Sequence, residues 1–169
     1  HLAFGCCRRG ASSQEDAFGS LTIENYSETY YHDVVRLVEN FHKETLSEFD
    51  GEFNPAALAD TIAKIKENNA VNSFLLIDDH WICQGILAGV VGKSFSSGRE
   101  LFQEIIWYVE AAFRSHGVRL LLEAEKILKN RGVSTMIMAV LENSKTEKIK
   151  RLYERIGYKP MQVHYVKNL

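Results

Sequence analysis

Between Ile105 and Leu141 the chain changes its hydrophobic period twice, and this limits what it can fold into more than any other feature. Ile105–Val109 is an apolar run of the kind found in a buried strand. Leu120, Ala124, Ile127 and Leu128 then recur at helical spacing, and Thr135–Leu141 returns to an extended apolar pattern. Strand, helix and strand in that order imply a parallel pair joined by a crossover. The turn before the helix holds one glycine, Gly117, where backbone amides open the helix. A helix start carries unsatisfied N–H groups and about half a positive charge, which suits a phosphate-bearing cofactor.

The rest of the chain supplies neighbours for that pair. Leu21–Tyr26 reads as a first strand, and Val34, Leu37, Val38 and Phe41 mark a helix from about Glu28 to Lys43. After a polar loop at Thr45–Phe53, Asn54 caps a second helix with Pro55 at its first position; Leu58, Ile62 and Ile65 form its buried face. Phe74–Ile77 and Ile82–Val91, joined by Asp78-Asp79-His80, read as an antiparallel hairpin. Ile149, Leu152, Tyr153 and Ile156 mark a last helix, stopped by Gly157, before a final strand at Met161–Val166. The expected class is α/β (α+β) with a mixed sheet. A length of 169 residues suits one domain, placed at 18–169, with residues 1–17 read as a tail or fragment end.

Composition narrows the function. A net charge of −2 argues against a nucleic-acid partner, but the charge is uneven: 4 basic against 12 acidic side chains over residues 15–67, and 11 against 5 over 114–159. That asymmetry fits solvated faces, or an anionic cofactor on the later half and a cationic acceptor near the earlier one. Cys6, Cys7 and Cys83 form no disulfide framework, so a reducing cytoplasm is expected. No apolar run is long enough to span a bilayer, and no membrane partner is expected. His32, His42, His80 and His164 lack metal-ligand spacing, so no metal is expected. Gly92-Lys93-Ser94 ends like a P-loop, but Leu87 stands where the first glycine is required. A Rossmann site fails because Arg114–Arg119 has a single glycine.

Arg114-Ser115-His116-Gly117-Val118 follows the strand that closes at Val109, and Leu152-Tyr153-Glu154-Arg155-Ile156-Gly157-Tyr158 closes the last helix. In these motifs and in element order, residues 20–168 resemble the GCN5-related N-acetyltransferases, the GNAT superfamily. Phe41-His42-Lys43-Glu44-Thr45 and Tyr165-Val166-Lys167-Asn168-Leu169 resemble phage-encoded members. The resemblance implies a mixed, mostly antiparallel sheet of six to seven strands with a central splayed parallel pair and about four flanking helices. It implies acetyl-CoA as co-substrate, its thioester carbonyl held by backbone at Tyr108 and Val109. Its pyrophosphate would rest on Arg114, Ser115, His116, Gly117, Val118 and Arg119, and Asn143 corresponds to a cofactor-contacting asparagine. The family pattern has Gly or Ala where this chain has Arg119, which either pairs with phosphate, lies exposed or crowds the cofactor. Ser144-Lys145-Thr146-Glu147 is also a capping box, an explanation of the Asn143 segment that needs no ligand.

An amine bound beside a thioester can attack directly, without a covalent enzyme intermediate. An alkylamine of pKa about 10 must first lose a proton. Glu104, on the strand leading to Val109, is the candidate base; its alternative is a solvent-facing charge. By the resemblance, Tyr153 protonates the departing thiolate, though it also lies on the apolar stripe. Glu44, Phe49 and Phe53 place carboxylate beside aromatic rings and suit a cationic acceptor, either a small molecule or a peptide amine. The family sets its acceptor wall in this part of the chain. Two further expectations are a homodimer paired through the last strand, and, as the rival function, a non-catalytic module of the same fold that binds acyl-CoA or a protein.

Overall fold

Phe74, Leu75, Leu76 and Ile77 are all fully buried, which puts their strand in the middle of three layers. Phe74 and Leu76 join one apolar cluster, and Leu75 and Ile77 join another on the opposite side. Successive strand side chains point to opposite faces, so a strand covered on both sides reads as an unbroken apolar run. The structure, a computed structural model, describes residues 20–143 and 145–169. The expected tail at 1–17 and Ser144 of the expected capping box lie outside the described residues.

Five strands are formed among the described residues: β1 Thr22–Asn25, β2 Val71–Ile77, β3 Cys83–Lys93, β4 Glu100–Val109 and β5 Thr135–Ile137. They lie side by side in chain order, antiparallel from β1 to β4, with β4 and β5 parallel. Helices α1 (Tyr31–Thr45) and α3 (Pro55–Lys66) cover one face, where Val34, Leu37 and Ile62 meet Leu75, Ile77, Ile86 and Tyr108. Helices α4 (Gly117–Asn130) and α5 (Thr146–Arg155) cover the other, where Leu120, Leu121, Ala124, Leu128 and Tyr153 meet Phe74, Leu76, Phe102 and Val109. Each fully buried aliphatic side chain contributes about 1.5–3 kcal/mol. Asn54 caps α3 as expected, its side chain accepting from the amides of Ala56 and Ala57 at 3.0 and 3.1 Å.

Three expectations are corrected. The loop at Thr45–Phe53 contains a one-turn helix, α2 (Ser47–Asp50). The strand expected over Thr135–Leu141 is only three residues long. Met161–Val166 forms no strand: Met161, Val163, Tyr165 and Val166 are 63–95% exposed and have no partner strand among the described residues. Alternation assigns faces to a segment but does not supply the hydrogen-bonding neighbour that makes it a strand. The described sheet therefore has five strands rather than six or seven. Its parallel pair lies at the edge rather than the centre, and the dimer edge expected of the last strand is not formed.

One irregularity decides which side chains share a face. Ala88 pairs with Ile106 but Gly89 pairs with Glu104, so Ile105 is an extra residue, a β-bulge in β4. The bulge shifts the alternation by one. Phe102 and Trp107, five positions apart, accordingly both pack on the α4–α5 side. Gly89 is required opposite the bulge, since a Cβ there would lie 2.3 Å from the Gln103 carbonyl oxygen.

Candidate active site

β4 and β5 pair from Leu101 with Thr135 to Gln103 with Ile137, and beyond that point the ladder stops. Glu104 is thus the first β4 residue past the last pair, where the two strands stop pairing and open apart in register. Its carboxylate accepts a hydrogen bond from the Ala139 backbone, beyond the end of β5. The Tyr153 hydroxyl, from α5, donates to the Ala139 carbonyl at 2.9 Å. One residue of the diverging segment therefore joins the expected base to the expected acid.

Burial pushes the Glu104 carboxyl up to about 7, against the Ala139 amide, which favours the charged form. A carboxyl poised there exchanges protons near neutrality, as a general base must. The Tyr153 phenol is pushed well above its ordinary value, first by burial and then by the charge of Glu104. It is a held proton donor, not a source of phenolate. Trp107 stacks on Tyr153 with ring centroids 5.9 Å apart, and Tyr158 packs against Tyr153 at 5.3 Å. The Tyr158 hydroxyl donates to Glu125 of α4 at 2.7 Å, tying the end of α5 to α4. The indole Nε1 of Trp107 is buried without a hydrogen-bond partner among the described residues.

The turn after β4 is a 3-10 helix, Ala111–His116, and α4 begins at Gly117 as the sequence reading expects. The Gly117 N–H returns to the Arg114 carbonyl, so the 3-10 helix runs directly into α4. Gly117 is buried, and a Cβ there would sit 3.7 Å from both Trp107 and Val109. Ser115 is exposed, while His116 and Val118 are half-buried. The Arg119 guanidinium donates to the Leu21 carbonyl at 3.1 Å, so this long side chain is tied to the segment before β1.

A second polar cluster forms at the end of β4 on the α1 face. Arg114 binds the Glu44 carboxylate through both oxygens, at 2.8 and 3.1 Å, and its Nε donates to the Val109 carbonyl at 3.2 Å. The Tyr108 hydroxyl donates to Glu44 at 2.9 Å, and the Arg114 guanidinium lies 5.7 Å from the Tyr108 ring centroid. Burial and then the hydrogen bond to Glu44 push the Tyr108 phenol up to about 12. Nearby, Arg36 and Asn40 of α1 both donate to Glu110, at 3.0 and 2.9 Å, and fix α1 to the end of β4.

The structure brings Glu104 to Tyr153, and Arg114 to Tyr108, Val109 and Glu44. It does not gather Glu44, Phe49 and Phe53 into one wall. Phe53 packs on His42 at 5.9 Å and lines a cavity of about 520 Å3 between α1 and the start of α3, whereas Phe49 and Glu44 are not among its lining residues. The Asn143 side chain accepts from the Lys145 amide at 2.8 Å, a local turn that needs no ligand. The Thr146 hydroxyl lies 2.8 Å from the Leu141 and Asn143 carbonyls. Sequence reasoning missed Trp107 and Lys145. Trp107 stands two residues before Val109 on one strand, a usable signal of a shared face; Lys145 carries no such signal.

Comparison with known proteins finds no family model that matches the chain and no curated protein that matches it. Solved structures do match. A GNAT family acetyltransferase from Staphylococcus aureus superposes with a TM-score of 0.64 at 15% identity, covering 89% of this chain and 99% of that one. The ribosomal-protein-alanine N-acetyltransferase of Brucella melitensis gives 0.68 at 15% identity, over 89% and 99%. The glucosamine-6-phosphate N-acetyltransferase of Arabidopsis thaliana gives 0.68 at 12% identity, over 88% and 98%. At these identities the likeness is one of fold: the chain has the fold of the GNAT acetyltransferases.

Proposed function

We propose that this chain, built on the GNAT fold, is an N-acetyltransferase that moves an acetyl group from acetyl-CoA to a primary amine by direct attack in a ternary complex. The observation that carries this reading is Glu104, a carboxyl pushed up to about 7 where the β4–β5 pairing stops and joined through Ala139 to Tyr153. The residues present fit acetyl-CoA: an opened parallel pair beside the start of α4, with Arg114 and Lys145 near the end of β4. Backbone at Tyr108 and Val109 would hold the acyl end. Residues Arg114–Arg119 would hold the pyrophosphate, with Asn143 at the neighbouring helix start.

Acetyl-CoA supplies a thioester, so transfer forms one C–N bond and breaks one C–S bond. Glu104, as carboxylate, takes the proton that the ammonium must lose. Tyr153 delivers a proton toward the leaving sulfur and recovers one from solvent. Each such contribution is typically worth about 10²–10⁴ in rate, and positioning within the opening adds more. The acceptor is a small-molecule or peptide amine, with Glu44, Phe49 and Phe53 as contacts that it would meet at separate places rather than on one wall. No metal is required.

The test follows free thiol while acetyl-CoA is presented with a panel of amines: polyamine, aminoglycoside, amino sugar, amino acid and peptide. Thiol release that depends on one amine class, and that falls in Glu104→Gln, supports the reading. Release indifferent to every amine overturns it. A second reading, a binding module without turnover, is favoured by one observation: Arg114 and Arg119 direct their guanidinium groups to Glu44 and Leu21. Saturable acetyl-CoA binding without amine-dependent release selects that module.

A further inference from the structure

Glu44 is the common acceptor for groups from three separate parts of the chain. Arg114 grips both of its oxygens, the Tyr108 hydroxyl donates at 2.9 Å, and the Lys145 ammonium stands 4.0 Å away. These donors approach from the turn before α4, from β4 and from the segment opening α5. A guanidinium fork, an ammonium and a hydroxyl converging on one carboxylate form a seat for an oxyanion. A phosphate matches that fork as well as a carboxylate does and carries more charge. The pair is reachable, since the Arg114 and Glu44 side chains are 39% and 42% exposed.

We infer that Glu44 is a resident competitor for this seat, that a phosphate of acyl-CoA displaces it from Arg114 and Lys145, and that the released carboxylate then receives the cationic amine. The inference rests on the proposed acetyl transfer. It gives Glu44 two opposed effects, weakening cofactor binding and strengthening acceptor binding. Because binding coupling is reciprocal, whatever factor the cofactor adds to amine affinity the amine returns to the cofactor.

The experiment is a double-mutant cycle on CoA affinity, read by titration calorimetry with wild type, Glu44→Gln, Arg114→Ala and the double variant. Glu44→Gln should bind CoA three- to tenfold more tightly. In the Arg114→Ala background the same change should shift affinity by less than twofold. With the amine that gives fastest thiol release, Glu44→Gln should also raise KM. Tyr108→Phe, which loosens Glu44 without removing its charge, should tighten CoA binding about twofold. Equal tightening with and without Arg114 overturns the inference, because it would reflect only the loss of a nearby negative charge. Unchanged or weaker CoA binding by Glu44→Gln also overturns it, as does an unchanged KM for the amine. A wild-type chain that binds no CoA removes the proposed function along with the coupling. A wild-type chain that binds CoA without these shifts removes the coupling alone.

Discussion

Glu104 and Tyr153 meet on a single residue: the Ala139 N–H donates to the Glu104 carboxylate, and the Ala139 carbonyl accepts from the Tyr153 hydroxyl at 2.9 Å. Their strand and helix have no direct ladder between them. The bulge at Ile105 and the end of pairing at Gln103 and Ile137 bring them to the same opening. The chemistry proposed for the chain depends on that convergence, and so do its most specific predictions.

The first concerns pH. The Glu104 carboxyl titrates near 7 in the folded chain and near its ordinary 4.5 when unfolded, so folding takes up a proton between those values. The contribution of Glu104 to stability is therefore greatest at low pH, declines as pH rises from about 4.5 to about 7, and is level above. Denaturation of wild type and Glu104→Gln across pH should show the difference changing by about 1–2 kcal/mol over that window, discounted for residual solvent contact. Activity should move the other way. The wild-type kcat/KM should rise as pH passes about 7, and this limb should vanish in Glu104→Gln. A pH-independent stability difference between the two proteins contradicts the assignment.

Tyr153→Phe keeps the stacking on Trp107 and removes the hydroxyl that satisfies the Ala139 carbonyl. It should cost about 1 kcal/mol of stability. Thiol release should fall about 10²–10⁴-fold, with CoA affinity changed little. Turnover equal to wild type removes Tyr153 from the acid role.

Much of this arrangement is legible in the sequence where the signal is local. Asn54 with Pro55 announces a capped helix, Gly117 marks the start of α4, and Gly157 adopts the positive φ of 100° that ends α5. Tyr153 is recognisable by its place in a motif and Glu104 as a carboxylate on the strand leading to Val109, but their meeting depends on a bulge that no residue type announces. Arg114 illustrates the limit better. Its motif assigns it to phosphate, while its side chain finds Glu44, 70 positions away and on another helix. Partner choice between distant charged groups is set by tertiary geometry rather than by neighbours in the chain. The segment Met161–Val166 fails for a related reason: its alternation is correct for a strand, but strand formation belongs to a pair.

Gly89→Ala should be among the most damaging small substitutions. Its Cβ would fall 2.3 Å from the Gln103 carbonyl oxygen and 2.5 Å from Phe102, so β3 and β4 must separate beside the bulge. A loss of about 3 kcal/mol in chemical denaturation is expected. A loss below about 0.5 kcal/mol, within the range of ordinary surface substitutions, would show that the two strands are not held this closely.

Asn54→Ala removes the side chain that accepts from the Ala56 and Ala57 amides. It should cost about 1 kcal/mol, with Asn54→Gly or Asn54→Asp costing less. Equal losses for all three would contradict a capping role.

The most direct test of the central claim is a calorimetric titration of the chain with acetyl-CoA, paired with its thermal unfolding at the same concentrations. The account predicts one saturable site, with stability rising by about 2.7 kcal/mol when acetyl-CoA reaches 100 times its Kd. No heat of binding and an unchanged Tm at millimolar acetyl-CoA would contradict it.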